Sequence, residues 1–120
     1  MVRIFVYGTL RKGECRNYIL SDCQFLGYAK AKGFVLYNIG AFPGMVEGEG
    51  EVIGEVYEIP KDLLEKLDWV EGVPDLFRRE IIEVRLDDGQ TVSVYAYIYN
   101  RGVKNKPLIP SGDWKDVSKV

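Results

Sequence analysis

Apolar and polar residues alternate along most of this chain in short segments, and one stretch breaks that rhythm with a helical period. Arg3–Tyr7 reads as a first strand. Glu14–Ser21 predicts a short helix, with Tyr18 and Ile19 as its apolar positions. Phe25–Tyr37 is extended sequence broken by Gly27 and Gly33. Asn38–Gly50 holds Gly40, Pro43, Gly44, Gly48 and Gly50 and predicts a long irregular loop. Glu51–Ile59 alternates around Gly54 and predicts a strand. In Pro60–Val70 the period changes: Leu63, Leu64, Leu67 and Val70 recur at helical spacing and define one apolar face. Proline suits a first helical turn, and Asp62 suits its positive end. Gly72 and Pro74 then stop the helix.

Arg79–Leu86 and Thr91–Tyr99 are two strands around Asp87-Asp88-Gly89-Gln90, a hairpin signal. Val92, Val94, Ala96 and Ile98 share one face of the second strand; Ser93, Tyr95, Tyr97 and Tyr99 share the other. The tail from Arg101 is polar, carries Pro107 and Pro110, and closes on Ser111-Gly112-Asp113-Trp114. No repeat or linker divides residues 1–120, which suit a single domain. Short strands in mixed order with one or two helices predict the α+β class, with a twisted sheet that curls into a small barrel. The strand–helix alternation of a dinucleotide-binding fold is absent.

Charge and composition narrow the function. The net charge is −2, which provides no basic field for nucleic acid and no polybasic membrane patch. No apolar stretch approaches the roughly 20 residues of a membrane span. Met1-Val2-Arg3 leads into strand-like sequence and not into a signal peptide, so a cytoplasmic location is expected. Cys15 and Cys23 are then expected to be free thiols. The chain has no histidine, which excludes Ser-His-Asp, Cys-His and histidine-ligated metal mechanisms. A proton carrier must be a carboxylate, lysine, tyrosine or cysteine.

Two places carry candidate chemistry. In Val6-Tyr7-Gly8-Thr9-Leu10-Arg11-Lys12-Gly13 a strand feeds a glycine turn followed by two cations. A strand that stops at Gly8 leaves the next amides unpaired, and glycine permits positive φ and a close ligand approach. Successive free amides form a concave anion site; the alternative is a plain hairpin turn with Tyr7 in the core. Glu71 lies four residues after Leu67 and seven after Leu64, so a continued helix puts it on the apolar face. There, burial and the negative helix end both raise a carboxylate pKa toward the range useful for acid–base work. The alternative is that Glu71 points outward as the helix frays.

The run Val6–Gly13 resembles the signature of the γ-glutamylcyclotransferase-like superfamily, in its small AIG2-like branch. Further landmarks follow in order: Leu36-Tyr37-Asn38-Ile39-Gly40-Ala41-Phe42-Pro43-Gly44, Val52-Ile53-Gly54-Glu55-Val56-Tyr57, Leu67-Asp68-Trp69-Val70-Glu71-Gly72, Arg79, Asp88-Gly89 and Ser111-Gly112-Asp113-Trp114. The resemblance implies a mixed β-barrel flanked by a few helices and no metal or organic cofactor. It implies that Tyr7, Gly8, Thr9 and Leu10 bind substrate through their backbone and that Glu71 is the catalytic acid/base. The implied reaction cyclises a γ-glutamyl group to 5-oxoproline and releases an amine, amino acid or peptide. Other readings are a cyclotransferase for isopeptide-type or metabolite-linked γ-glutamylamines and a non-catalytic binder of small carboxylates. Phe77 departs from the tyrosine that many relatives place there. Whether Tyr97, Tyr99 or Arg79 line the pocket is left open, as is the oligomeric state. The expected partner is a small-molecule γ-glutamyl substrate.

Overall fold

The structure, a computed structural model, describes residues 1–118. Its strands are β1 (Val2–Val6), β2 (Gln24–Asn38), β3 (Pro43–Ile59), β4 (Phe77–Leu86), β5 (Thr91–Tyr99) and β6 (Leu108–Ile109). Helix α1 spans Lys61–Val70 and helix α2 spans Lys115–Ser118. The sheet runs β3-β1-β5-β4-β2 and returns to β3, which closes a five-stranded mixed barrel. β1 and β5 are parallel, paired at Ile4 and Tyr95. The other barrel pairs are antiparallel, and β6 adds to β2 at Leu36 and Tyr37.

The two-residue period of a strand explains where the core sits. Phe5, Val94, Ala96 and Ile98 join Ala29, Ala31, Val52 and Val56 inside the barrel. The intervening Ile4, Val6, Tyr97 and Tyr99 form a second buried cluster with Leu64 and Leu67 of α1. The wall at β1 and the end of β5 is therefore buried on both faces, and α1 covers its outside.

Several expectations change. The predicted loop Asn38–Gly50 is mostly strand, because β3 begins at Pro43 and only residues 39–42 connect it to β2. The glycines there accommodate packing. A Cβ at Gly44 would lie 2.7 Å from Tyr99 Cγ, and one at Gly48 or Gly50 would lie 2.9 Å from a Val35 methyl. Pro43 takes the first position of the strand, where a missing N–H is tolerated. The predicted helix Glu14–Ser21 shrinks to a 3-10 turn at Asn17–Leu20. α1 and β5 keep their expected places, Gly27 marks a bulge in β2, and β4 starts two residues early, at Phe77. The tail gains β6 and α2. Cys15 and Cys23 are unbridged.

Candidate active site

β1 ends at Val6, and the chain then turns with Gly8 O accepting from Arg11 N at 3.0 Å and Thr9 O from Arg16 N at 2.9 Å. The amides of Gly8, Thr9 and Leu10 donate to no protein acceptor among the described residues. Gly8 does not take the positive φ that its glycine suggests; in this turn that conformation falls on Gly13, at 82°. Gly8 is needed for space, since a Cβ there would lie 2.7 Å from Pro43 Cγ. Tyr7 points into the barrel. Its hydroxyl donates to Tyr97 O at 2.7 Å and accepts from Met45 N at 3.3 Å, so both bonds go to backbone.

The two cations after the turn serve the scaffold. Arg11 is 4% exposed and pairs with Glu55 at 2.8 Å and Asp113 at 2.7 Å. Burial alone would lower the guanidinium pKa, but the two carboxylates outweigh it and hold it above its ordinary value. The other oxygen of Glu55 accepts from Lys12 N at 3.0 Å and from the Tyr57 hydroxyl at 3.1 Å. Asn17 Nδ2 donates to Leu10 O at 2.8 Å. Lys12 lays its ammonium 3.5 Å from the centroid of the Phe25 ring. This network fixes the turn from below and leaves its amides uncovered.

Glu71 caps the C-terminus of α1, with its N–H bonded to Leu67 O at 2.8 Å. Gly72 follows at φ 68°, a left-handed stop that glycine adopts without penalty. The next segment is pinned by Leu76 N to Gly72 O at 2.8 Å and Asn100 N to Leu76 O at 2.9 Å. The helical spacing that puts Leu64 and Leu67 on the barrel carries Glu71 into a cavity beside them. Val6–Leu10 form one wall; Phe5, Phe42, Pro43, Phe77 and Tyr97 complete it. Among the described residues the Glu71 carboxyl has no hydrogen-bond or ion-pair partner. Burial pushes its pKa from 4.5 up to about 7, against the opposing charge of Arg16. Burial and an apolar wall thus prepare a carboxyl that can take or give a proton near neutrality.

The structure brings together every predicted site residue: Tyr7, Gly8, Thr9, Leu10 and Glu71 line the one cavity. It adds Tyr97, whose hydroxyl donates to Asp68 Oδ1 at 2.7 Å; Arg79 holds the other Asp68 oxygen at 2.5 Å. Tyr99 instead packs edge-on against Phe77, with ring centroids 5.5 Å apart. Phe42 and Pro43 were hidden by the loop reading of their segment. Asp68 lies within the Leu67–Gly72 landmark, three residues before Glu71, which was its available signal. No three His, Cys, Asp or Glu side chains converge as a metal-ligand set among the described residues.

A family profile described as gamma-glutamyl cyclotransferase, AIG2-like, matches residues 4–116. A Vibrio cholerae protein named as a candidate gamma-glutamylcyclotransferase is 42% identical over 112 residues, covering 92% of this chain and 93% of its own length. The gamma-glutamylcyclotransferase family protein YtfP of Escherichia coli is 36% identical, covering 98% of this chain and 100% of its own. The crystal structure of an AIG2-like protein from Mus musculus superposes with a TM-score of 0.83 at 27% identity, covering 94% of this chain and 88% of that one.

Proposed function

The chain belongs to the gamma-glutamyl cyclotransferase, AIG2-like family, and from that premise we propose that it cyclises a γ-glutamyl group to 5-oxoproline. The observation that carries this reading is an unpartnered Glu71 carboxyl, titrating at about 7, across a cavity from the unpaired amides of Gly8, Thr9 and Leu10. A pure carboxylate binder gains nothing from a second carboxyl facing its ligand, so Glu71 favours catalysis.

The glutamyl nucleophile and electrophile are already tethered, so the protein need only fold the chain and move protons. The turn amides receive the α-carboxylate or the oxyanion that develops on the γ-carbonyl. Ionised Glu71 takes a proton from the α-ammonium. The freed amine nitrogen attacks the γ-carbonyl carbon and closes a five-membered ring. Glu71 then gives that proton to the departing nitrogen as the original amide bond breaks; the ring nitrogen sheds its second surplus proton to the carboxylate, which passes it to the released amine, so the amine leaves as an ammonium and Glu71 returns to its starting state. Phe42, Pro43 and Phe77 give the cavity an apolar wall. No step calls for a metal or an organic cofactor.

A panel of γ-glutamyl amines, amino acids and peptides, assayed for 5-oxoproline, tests the reading. Glu71→Gln keeps the shape and removes the proton capacity, so turnover should drop by about 100-fold or more. Equal turnover in that variant, on a substrate cleaved by the wild type, removes Glu71 from the mechanism. Absence of 5-oxoproline across the panel overturns the reaction itself.

A further inference from the structure

Four polar side chains line the cavity among the described residues: Tyr7, Thr9, Glu71 and Tyr97. The Tyr7 hydroxyl is matched on both sides, donating to Tyr97 O and accepting from Met45 N. Tyr97 is different. Its hydroxyl oxygen meets Asp68 Oδ1 at 2.7 Å and Leu64 O at 3.5 Å, and both of these atoms only accept. A phenol has one proton, and the shorter, charge-assisted bond to Asp68 takes it. Arg79 Nη1, 2.5 Å from the second Asp68 oxygen, keeps that carboxylate in place.

The register explains how the three residues meet. Arg79 and Tyr97 are direct cross-strand partners of β4 and β5, and Asp68 descends on them from α1. No protein donor reaches the Tyr97 oxygen among the described residues, so its lone pairs are unmatched. A phenol with its proton held this way can only accept from the cavity. Any ligand atom that meets it must carry hydrogen.

We infer that Tyr97, its proton pinned by Asp68 and Arg79, accepts a hydrogen bond from the α-ammonium of the bound glutamyl group and so orients it. The inference rests on the γ-glutamyl reading above. It makes Tyr97 a substrate-contacting residue and Asp68 a positioning residue that acts through it. It also divides the work on one nitrogen. Glu71 removes a proton, while Tyr97 keeps a second N–H directed away from the γ-carbonyl, so that the lone pair left behind faces its target.

Paired ligands that differ at that nitrogen alone test the assignment. L-Glutamine and glutaramic acid share the α-side carboxylate and the γ-amide, and only glutamine carries the ammonium. Titrations by calorimetry use the Glu71→Gln protein, so that turnover does not accompany binding. This parent should prefer glutamine. Adding Tyr97→Phe should cut the preference by about 10-fold or more, the scale of one hydrogen bond to a charged group, and leave glutaramic acid affinity unchanged. Adding Asp68→Asn should cut it in the same sense, because an amide can donate to the phenol oxygen and turn its proton toward the cavity. A merely structural role for these residues would move both affinities together. Unchanged preference in the folded Tyr97→Phe protein overturns the assignment. If that protein does not fold, Asp68→Asn decides with the same two outcomes. A parent that binds neither compound overturns this assignment together with the γ-glutamyl reading, whereas a parent that discriminates equally well with and without the substitutions overturns this assignment alone.

Discussion

Glu71 changes its charge within the range where cells work, and that has consequences for catalysis and for folding. In the proposed reaction Glu71 acts from its ionised form, so kcat/KM should climb with pH and level off above about 7. The folding consequence has the opposite sense. The folded carboxyl holds its proton up to about 7, while the unfolded one releases it near 4.5. Between these values the native state binds more protons than the unfolded state, so stability falls as pH rises. The contribution is complete below the unfolded value and is gone once pH has passed through the folded one. Thermal melts should therefore show the wild type losing ground to Glu71→Gln between pH 5 and pH 8, and parallel curves would refute the buried acid without reference to any substrate. Glu71 was legible because its distances from Leu64 and Leu67 match a helical face. Tyr97 and Asp68 were not, because their meeting depends on which strand lies under α1, and sequence periodicity carries no register between distant segments.

The turn after β1 is an element whose shape depends on what lies beneath it. Arg11 and Glu55 are 4% and 1% exposed, and their pairing joins the turn to the second half of β3. Removing one partner of a buried pair leaves the other charged and unmatched. Arg11→Ala should cost about 3–5 kcal/mol in urea denaturation. A loss below about 1 kcal/mol would match an exposed pair instead and would mean that the network does not hold the turn. Gly8→Ala acts differently. Its methyl would press on Pro43 and move a wall of the cavity, so substrate affinity should fall and the melting temperature should drop with it. Equal affinity in a folded Gly8→Ala protein would contradict the close approach. The sequence showed the turn but not what its cations do, since local sequence does not show a carboxylate 44 residues away. The same limit explains the 38–50 segment. Glycines that let Tyr99 and Val35 pack over a strand have the composition of a loop.

At the scale of the molecule, β3 is the strand that closes the barrel. Glu55, Val56, Tyr57 and Glu58 have partners in β1 on one side and β2 on the other. Amides of this stretch should be among the last to exchange with deuterium, since opening them requires both ladders to part. Exchange there as fast as in the two-residue β6 would argue against closure. The strand content and the α+β class were readable from alternation. The closing pairs were not, because they join segments separated by long stretches of chain. The far end of the chain clasps the segment after the turn. Asp113 reaches Arg11, the Trp114 indole N–H donates to Glu14 at 3.0 Å, and Lys115 bonds to Lys12 O and Glu14.

That clasp gives the protein a natural optical gauge. Its two tryptophans occupy opposite surroundings: Trp114 is 5% exposed against Glu14, and Trp69 is 88% exposed two residues before Glu71. Their emission should separate into a blue component and a red one, and iodide should quench the red one alone. Unfolding of the clasp can then be followed in unlabelled protein as the loss of the blue component, with the exposed tryptophan as an internal reference.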